Sequence, residues 1–270
     1  MTRKLLDVTS KDGVAEMRLN NPERMNTLGS DMTRAFLEAT AGLVEDRSIR
    51  VIILSGEGRC FSAGGDLAEL HGAEDKERAA HRVIRPIHKA LILLANTSKI
   101  VVASVQGPVS GAGFSIALGS DLCVAASDAI FNLAYLKVAV PPDCGASWNL
   151  PRLVGTRRAF ELALLSNSID SQKALELGLV NRVVDPESLT SETWALAKKI
   201  AEGPATAQGM LKRLMQGSWP NSFSEQLADE ELAFSKCVAG PDFKEAASAF
   251  FEKRSPKFSS KKELTFMTDH

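Results

Sequence analysis

No stretch of the 270 residues approaches the ~20 consecutive apolar residues of a membrane span. The opening segment, Met1 to Asp7, lacks the apolar core of a signal peptide. Cysteine is scarce: Cys60, Cys123, Cys144 and Cys237 show no C-x-x-C spacing, which points to free thiols in a reducing compartment and a cytoplasmic location. The histidines (His71, His81, His88 and His270) form no H-x-x-x-H pair, so no metal site is expected. A net charge of −1 leaves no basic footprint for nucleic acid. Aromatic residues make up 6% of the chain and include a single tyrosine, Tyr135. With 44% hydrophobic and 24% charged residues, what remains is an ordinary globular chain. It is long enough for one large domain, or for one domain and a helical appendage.

Val14–Leu19 alternates apolar and polar side chains, as a half-buried strand does. Residues 50–55 and 100–105 are apolar and branched, the composition of strands covered on both faces. Residues 122–126, 129–132 and 181–184 read as shorter extended pieces. Helices are expected at 31–45 with Ser30 as cap, at 74–96 with a possible kink at Pro86, and at 144–154, 156–165 and 171–177, the last ended by Gly178. Beyond Asp185 only helix patterns follow, at 187–202, 204–215, 222–238 and 242–253. The expected division is therefore a strand-and-helix core over 1–185 and a helical region over 186–270. Apolar faces on the last helices, with Phe250 and Phe251, imply that this region packs on a partner subunit.

Ser110-Gly111-Ala112-Gly113 opens a helix directly after the 100–105 strand. The first N–H groups of a helix are unpaired and partly positive, and small residues leave them uncovered. Something negative can sit there. A phosphate cradle would add Lys and Ser or Thr after the glycines, and none follows Gly113. Ile116 stands where a dinucleotide fingerprint needs its third glycine, and Ser115 lacks the glycine that follows the serine of a nucleophile elbow. An oxyanion hole and plain close packing of helix on strand remain. Phe61-Ser-Ala-Gly-Gly-Asp66 ends the 50–55 strand in the same way and leads into a short helix. If the two strands are neighbours, both loops emerge at one sheet edge, and the N–H groups of Ala63 and Ala112 can converge on one oxygen.

These loops belong to an ordered set. Asn21-Pro-Glu-Arg-Met-Asn26, Phe61 to Asp66, and Gly107 to Gly113 with Asp121 come first. Pro142-Asp-Cys-Gly-Ala-Ser-Trp-Asn-Leu-Pro-Arg152, Ala174-Leu-Glu-Leu-Gly-Leu-Val180 and Phe250-Phe-Glu-Lys-Arg-Ser-Pro256 follow. The set resembles the crotonase, or enoyl-CoA hydratase/isomerase, superfamily over nearly the whole chain. The resemblance implies an α/β fold, a spiral of ββα units with a C-terminal helical trimerisation region. It further implies a homotrimer or dimer of trimers. The implied ligand is an acyl-CoA thioester, with no separate cofactor because coenzyme A is part of the substrate. Ala63 and Ala112 would then stabilise an enolate-like anion, with Ser62, Gly64, Gly111 and Leu67 among the substrate-binding residues. Arg24 and Lys253 would meet coenzyme A phosphates or be surface charges. Asp66 would contact ligand or cap a helix, and Tyr135 would shape the acyl pocket or fill the core.

Hydratases of the superfamily carry two glutamates, and the resemblance places them at Ser115 and Tyr135, neither of which is an acid. The acid nearby is Asp143, in Val140-Pro-Pro-Asp-Cys-Gly. Its setting resembles the aspartate loop of the isomerases, most closely the epoxide-to-oxepin acyl-CoA isomerases of phenylacetate breakdown. One carboxylate can take a proton from one carbon and return it at another, which is isomerase chemistry. Asp143 could instead cap a helix starting at Cys144. Three other functions compete: a hydratase with atypical acids, a non-catalytic acyl-CoA binder, and a halobenzoyl-CoA dehalogenase. In the last, the aspartate attacks the ring and a histidine, here His88, assists hydrolysis.

Overall fold

The computed structural model describes residues 4–258; Met1 to Arg3 and the chain from 259 on, with His270, lie outside them. Six strands form the large sheet in the order β1-β2-β3-β4-β6-β9. β1 (Leu6–Lys11) and β2 (Val14–Leu19) are an antiparallel hairpin; β3 (Val51–Gly56), β4 (Ile100–Val105), β6 (Leu122–Ala126) and β9 (Arg182–Val184) then add in parallel. β1 has no counterpart in the sequence reading. It is an edge strand with a polar, half-exposed face, so it carries no apolar run. Its signal is Asp12-Gly13, both at positive φ (51° and 80°), the dipeptide of a tight hairpin turn.

A small sheet holds β5 (Pro108–Ser110), β7 (Ile130–Asn132) and β8 (Ile169–Asp170). The chain passes from a large-sheet strand to a small-sheet strand to a helix: β4, β5, α4 (Ala112–Leu118), then β6, β7, α5 (Ala146–Val154). This is the expected spiral of ββα units. The remaining helices are α1 (Ser30–Glu45), α2 (Leu67–Gly72), α3 (Lys76–Asn96), α6 (Thr156–Leu165), α7 (Ser171–Glu176), α8 (Leu189–Ala201), α9 (Ala205–Gly217), α10 (Phe223–Val238) and α11 (Pro241–Phe251). Pro86 sits inside α3 without ending it. Ser30 is the first helical residue of α1 and not its cap; the Glu69 carboxylate on α2 accepts from Ser30 N at 2.9 Å instead. Among the described residues, no helix is long and apolar enough to cross a membrane.

Met17, Ile52 and Leu54 pack toward α1 and α3 with Phe36 and Ile87. Val14, Val51, Ile53, Val102 and Val124 point to the other face, where Leu189, Ala197 and Ala201 of α8 cover them. A parallel sheet needs both faces covered, so α8 belongs to the core and residue 185 is not a packing boundary. α9 docks as well. Gly209 lies against Ser98, where an added Cβ would be 2.7 Å from the serine Cβ. Buried Lys212 donates to Leu94 O (2.8 Å) and Lys99 O (3.0 Å) and pairs with Asp121 at 2.8 Å. α10 packs on α9 and α11 on α10, and Phe250 and Phe251 are 78% and 81% exposed.

Burial pushes the Cys123 thiol in β6 up to about 12 and raises Cys144 further above its usual range. In the unfolded chain both thiols release their protons near pH ~8.5. Folding stability is therefore intact below that pH and falls as pH rises, by about 1.4 kcal/mol per unit per thiol. Denaturant unfolding at a series of pH values from 8 upward is expected to show this slope, and Cys123→Ala to reduce it. An alkaline limb that is flat in the wild type would contradict the burial assigned to these thiols.

Candidate active site

Because β3 and β4 are adjacent and parallel, the loops after them leave the sheet at the same edge. The loop after β3 is held by Gln106, whose Nε2 donates to Gly56 O (2.7 Å) and Gly58 O (2.9 Å). Asn26, fully buried, donates to Glu57 O (3.0 Å) and Cys60 O (2.7 Å), while Ser62 Oγ donates to Asn26 O at 2.9 Å. The N-terminal motif is thus a strut for this loop, a role that motif matching alone did not show. Ser62 pairs with Val109 in a bridge, which brings the second loop alongside.

The two loops touch through their glycines. Gly64 has φ +93°, and a Cβ there would lie 2.8 Å from Ser110 O and 3.3 Å from Ala112 N. A Cβ on Gly113 would lie 2.7 Å from Ser62 Cβ. The backbone donors can be accounted for one by one. Ala63 N–H is committed to Met25 O at 2.9 Å, Gly64 N–H to Ser62 Oγ at 3.1 Å, and Asp66 N–H to Leu28 O at 3.3 Å. Gly65 N–H is left without a protein acceptor among the described residues. On the other loop Ser110 N–H goes to Ser62 O and Gly111 N–H to Asn132 O, both at 2.9 Å. Ala112, first in α4, keeps its N–H unused. The structure therefore corrects one donor: the available pair is Gly65 and Ala112, not Ala63 and Ala112.

The acid lies across from these loops in a strained segment. A 3-10 turn at Tyr135–Val138 is flanked by Ala134 (φ 56°) and Ala139 (φ 60°), and Cys144 (φ 51°) and Gly145 (φ 81°) follow Asp143. Three of these left-handed residues carry a Cβ, an arrangement kept only where the surroundings impose it. Asp143 does not cap a helix: α5 begins at Ala146, and its N-cap is Gly145. The carboxylate instead accepts from Tyr135 Oη, 2.5 Å from Oδ1, and Tyr135 Oη is 2.8 Å from Ser115 Oγ. Burial, then the Asp143 charge, drives the phenol well above its ordinary range, so it stands as a neutral O–H donor. The Cys144 thiol is raised for the same reasons, burial first and Asp143 second.

His88 on α3 reaches this cluster, its Nε2 accepting from Cys144 N–H at 3.3 Å. Ligand atoms of His88, Asp143 and Cys144 all lie within 4.8 Å of one another, which brings together the His88 and Asp143 that the dehalogenase resemblance pairs and adds Cys144. A cavity of about 950 Å³ between α3, α5 and α9 is lined by Ile116, Trp148, Leu211 and Trp219 and reaches His88 and Cys144.

The other anticipated residues sit as follows. Asp66 caps α2 through Glu69 N–H (3.2 Å) and pairs with Arg24 at 2.9 Å, so its capping role is seen. Leu67 is half exposed in the first turn of α2. Lys253 is exposed at the end of α11, which packs on α10; neighbouring Arg254 is tied to Glu245 and Glu252, both at 2.6 Å.

A family model described as enoyl-CoA hydratase/isomerase matches residues 9–261. The chain belongs to this family. Members with different chemistries resemble it to similar degrees. The 1,2-epoxyphenylacetyl-CoA isomerase of Escherichia coli (strain K12) is 36% identical over 255 residues, 92% of this chain and 96% of its own. The 4-chlorobenzoyl coenzyme A dehalogenase-2 of Arthrobacter sp is 31% identical over 250 residues, 92% of this chain and 91% of its own. The crystal structure of an enoyl-CoA hydratase from Polaromonas sp. JS666 superposes with a TM-score of 0.89 at 34% identity, covering 94% of this chain and 99% of that one. Family membership thus establishes the fold and an enzyme of the hydratase/isomerase family, and the choice of chemistry falls to the residues at the site.

Proposed function

We propose that the protein is an acyl-CoA isomerase that moves one proton with one carboxylate. The observation that carries this reading is that Ser115 and Tyr135, where the hydratase pattern has its acids, are hydroxyls gathered on the single acid Asp143. The thioester oxygen accepts from the N–H groups of Gly65 and Ala112. Asp143 takes a proton from carbon; the C–H electron pair moves into the acyl group, and the charge settles on the thioester oxygen between the two donors. Asp143 then delivers a proton at another carbon, the proton it carries having exchanged with water in a fraction of the turnovers. No water is added and no group leaves, so one base suffices. The exposed apolar side chains of α10 and α11, among them Leu232, Phe250 and Phe251, form the subunit contact of a homotrimer.

Turnover of a panel of enoyl-CoA and halobenzoyl-CoA thioesters in H₂¹⁸O tests the reaction class. An isomerase gives double-bond migration with no label in the product. Label in a 3-hydroxyacyl product would establish a hydratase and overturn the proposal.

A dehalogenase-like hydrolysis is the second reading, favoured by the approach of His88 to Asp143 and Cys144. It requires a nitrogen lone pair for water, and that of Nε2 is directed at Cys144 N–H. In the same experiment it predicts ¹⁸O in a hydroxybenzoyl product.

A further inference from the structure

We propose that Tyr135 and Ser115 are positioning residues that join Asp143 to the oxyanion-binding peptide in one hydrogen-bonded chain. This rests on the reading of Asp143 as the proton carrier and of Ala112 N–H as an oxyanion donor. The path is continuous. Asp143 Oδ1 is 2.5 Å from Tyr135 Oη, Tyr135 Oη is 2.8 Å from Ser115 Oγ, and Ser115 Oγ is 3.2 Å from Gly111 O. Gly111 O and Ala112 N–H are the two ends of a single peptide unit. One end of the chain therefore holds the acid and the other holds the group that donates to the thioester oxygen.

The two hydroxyls have one proton each, and the path has three links. An ionised Asp143 only accepts, so the phenol proton points to Oδ1 and the Ser115 proton follows it toward Tyr135. A short bond to a carboxylate fixes the rotation of Asp143 and leaves Oδ2 as the oxygen that meets the substrate proton. Once Asp143 is protonated the pull on the chain weakens. The Ser115 proton then turns to Gly111 O, where a donor on the carbonyl makes the Ala112 N–H of the same peptide a stronger donor. That occurs when negative charge reaches the thioester oxygen. Ser115 is fully buried and Tyr135 nearly so, which keeps water from breaking the chain.

Tyr135 is the only tyrosine of the 270 residues, so a tyrosine label reports on this one phenol. In the full-length protein labelled with [¹³Cζ]tyrosine and without substrate, the single resonance is expected to move in Ser115→Ala and again in Asp143→Asn. A resonance unmoved by either change would overturn the chain itself, whatever the fate of the isomerase reading. In turnover, Tyr135→Phe keeps the ring and removes the O–H; kcat is expected to fall ~10–100-fold with KM within about threefold, because the acid is misplaced while binding is kept. Ser115→Ala is expected to give the same split, smaller in size, and serves if Tyr135→Phe does not fold. Wild-type kcat in the folded variants would overturn the positioning role. Isomerase activity retained in Asp143→Asn, with the resonance shifts present, would instead refute the proton-carrier reading.

Discussion

Asp143→Asn is expected to lower kcat by ~10²–10⁴, the usual contribution of a positioned acid or base. The change is nearly isosteric, and the asparagine carbonyl can still accept from the neutral Tyr135 O–H at the place now taken by Oδ1. The fold and the hydroxyl chain should therefore survive, while the group that accepts the substrate proton is gone. Steady-state kinetics on the best acyl-CoA, with circular dichroism as a check on folding, measures the loss. Activity within a few-fold of wild type would mean that another group moves the proton.

Gly64→Ala is expected to cost ~10²–10³ in kcat/KM, the scale of losing one oxyanion donor. The added Cβ would sit 2.8 Å from Ser110 O and 3.3 Å from Ala112 N, both backbone atoms of the facing loop, at a residue with φ +93°. Neither neighbour is a flexible side-chain end, so the loops must separate. Separation moves Ala112 N–H away from the Gly65 donor that shares its oxyanion. Gly42→Ala, in α1 with nothing within 4 Å of an added Cβ, is the control and should leave kcat/KM unchanged. Equal kinetics for the Gly64 and Gly42 variants would show that close contact of the loops does not set the oxyanion geometry.

Both variants probe features that differ in how far they could be read from the chain. The buried strands were legible because branched apolar runs leave few alternatives, and with them the shared edge of the two glycine loops. Asp143 stood out because the acids expected at 115 and 135 were missing. What those two positions do instead was not legible. Ser115, Tyr135 and Asp143 meet only after α4 and the 3-10 turn are folded against each other, and each hydroxyl taken alone reads as a loss. The free N–H of the first loop lies two residues beyond the one the loop pattern suggests, for a similar reason. Which N–H of 63–66 stays free depends on Met25 and Leu28 supplying carbonyl acceptors from a segment about forty residues earlier. Strands stop at Val184, which suggests an end of the core at 185, yet α8 covers the second face of the sheet. The His88 contact with Cys144 spans 56 residues and leaves no local pattern.

A carboxylate that carries a substrate proton and exchanges it with water leaves solvent deuterium in the acyl chain, and this can be followed directly. The protein is incubated in heavy water with a panel of acyl-CoA thioesters, and deuterium uptake into the acyl chain is measured by mass spectrometry for wild type and Asp143→Asn. Uptake by the wild type that the variant loses is the expected result. Equal uptake by both, or isomerisation that Asp143→Asn retains, would contradict proton transfer through Asp143.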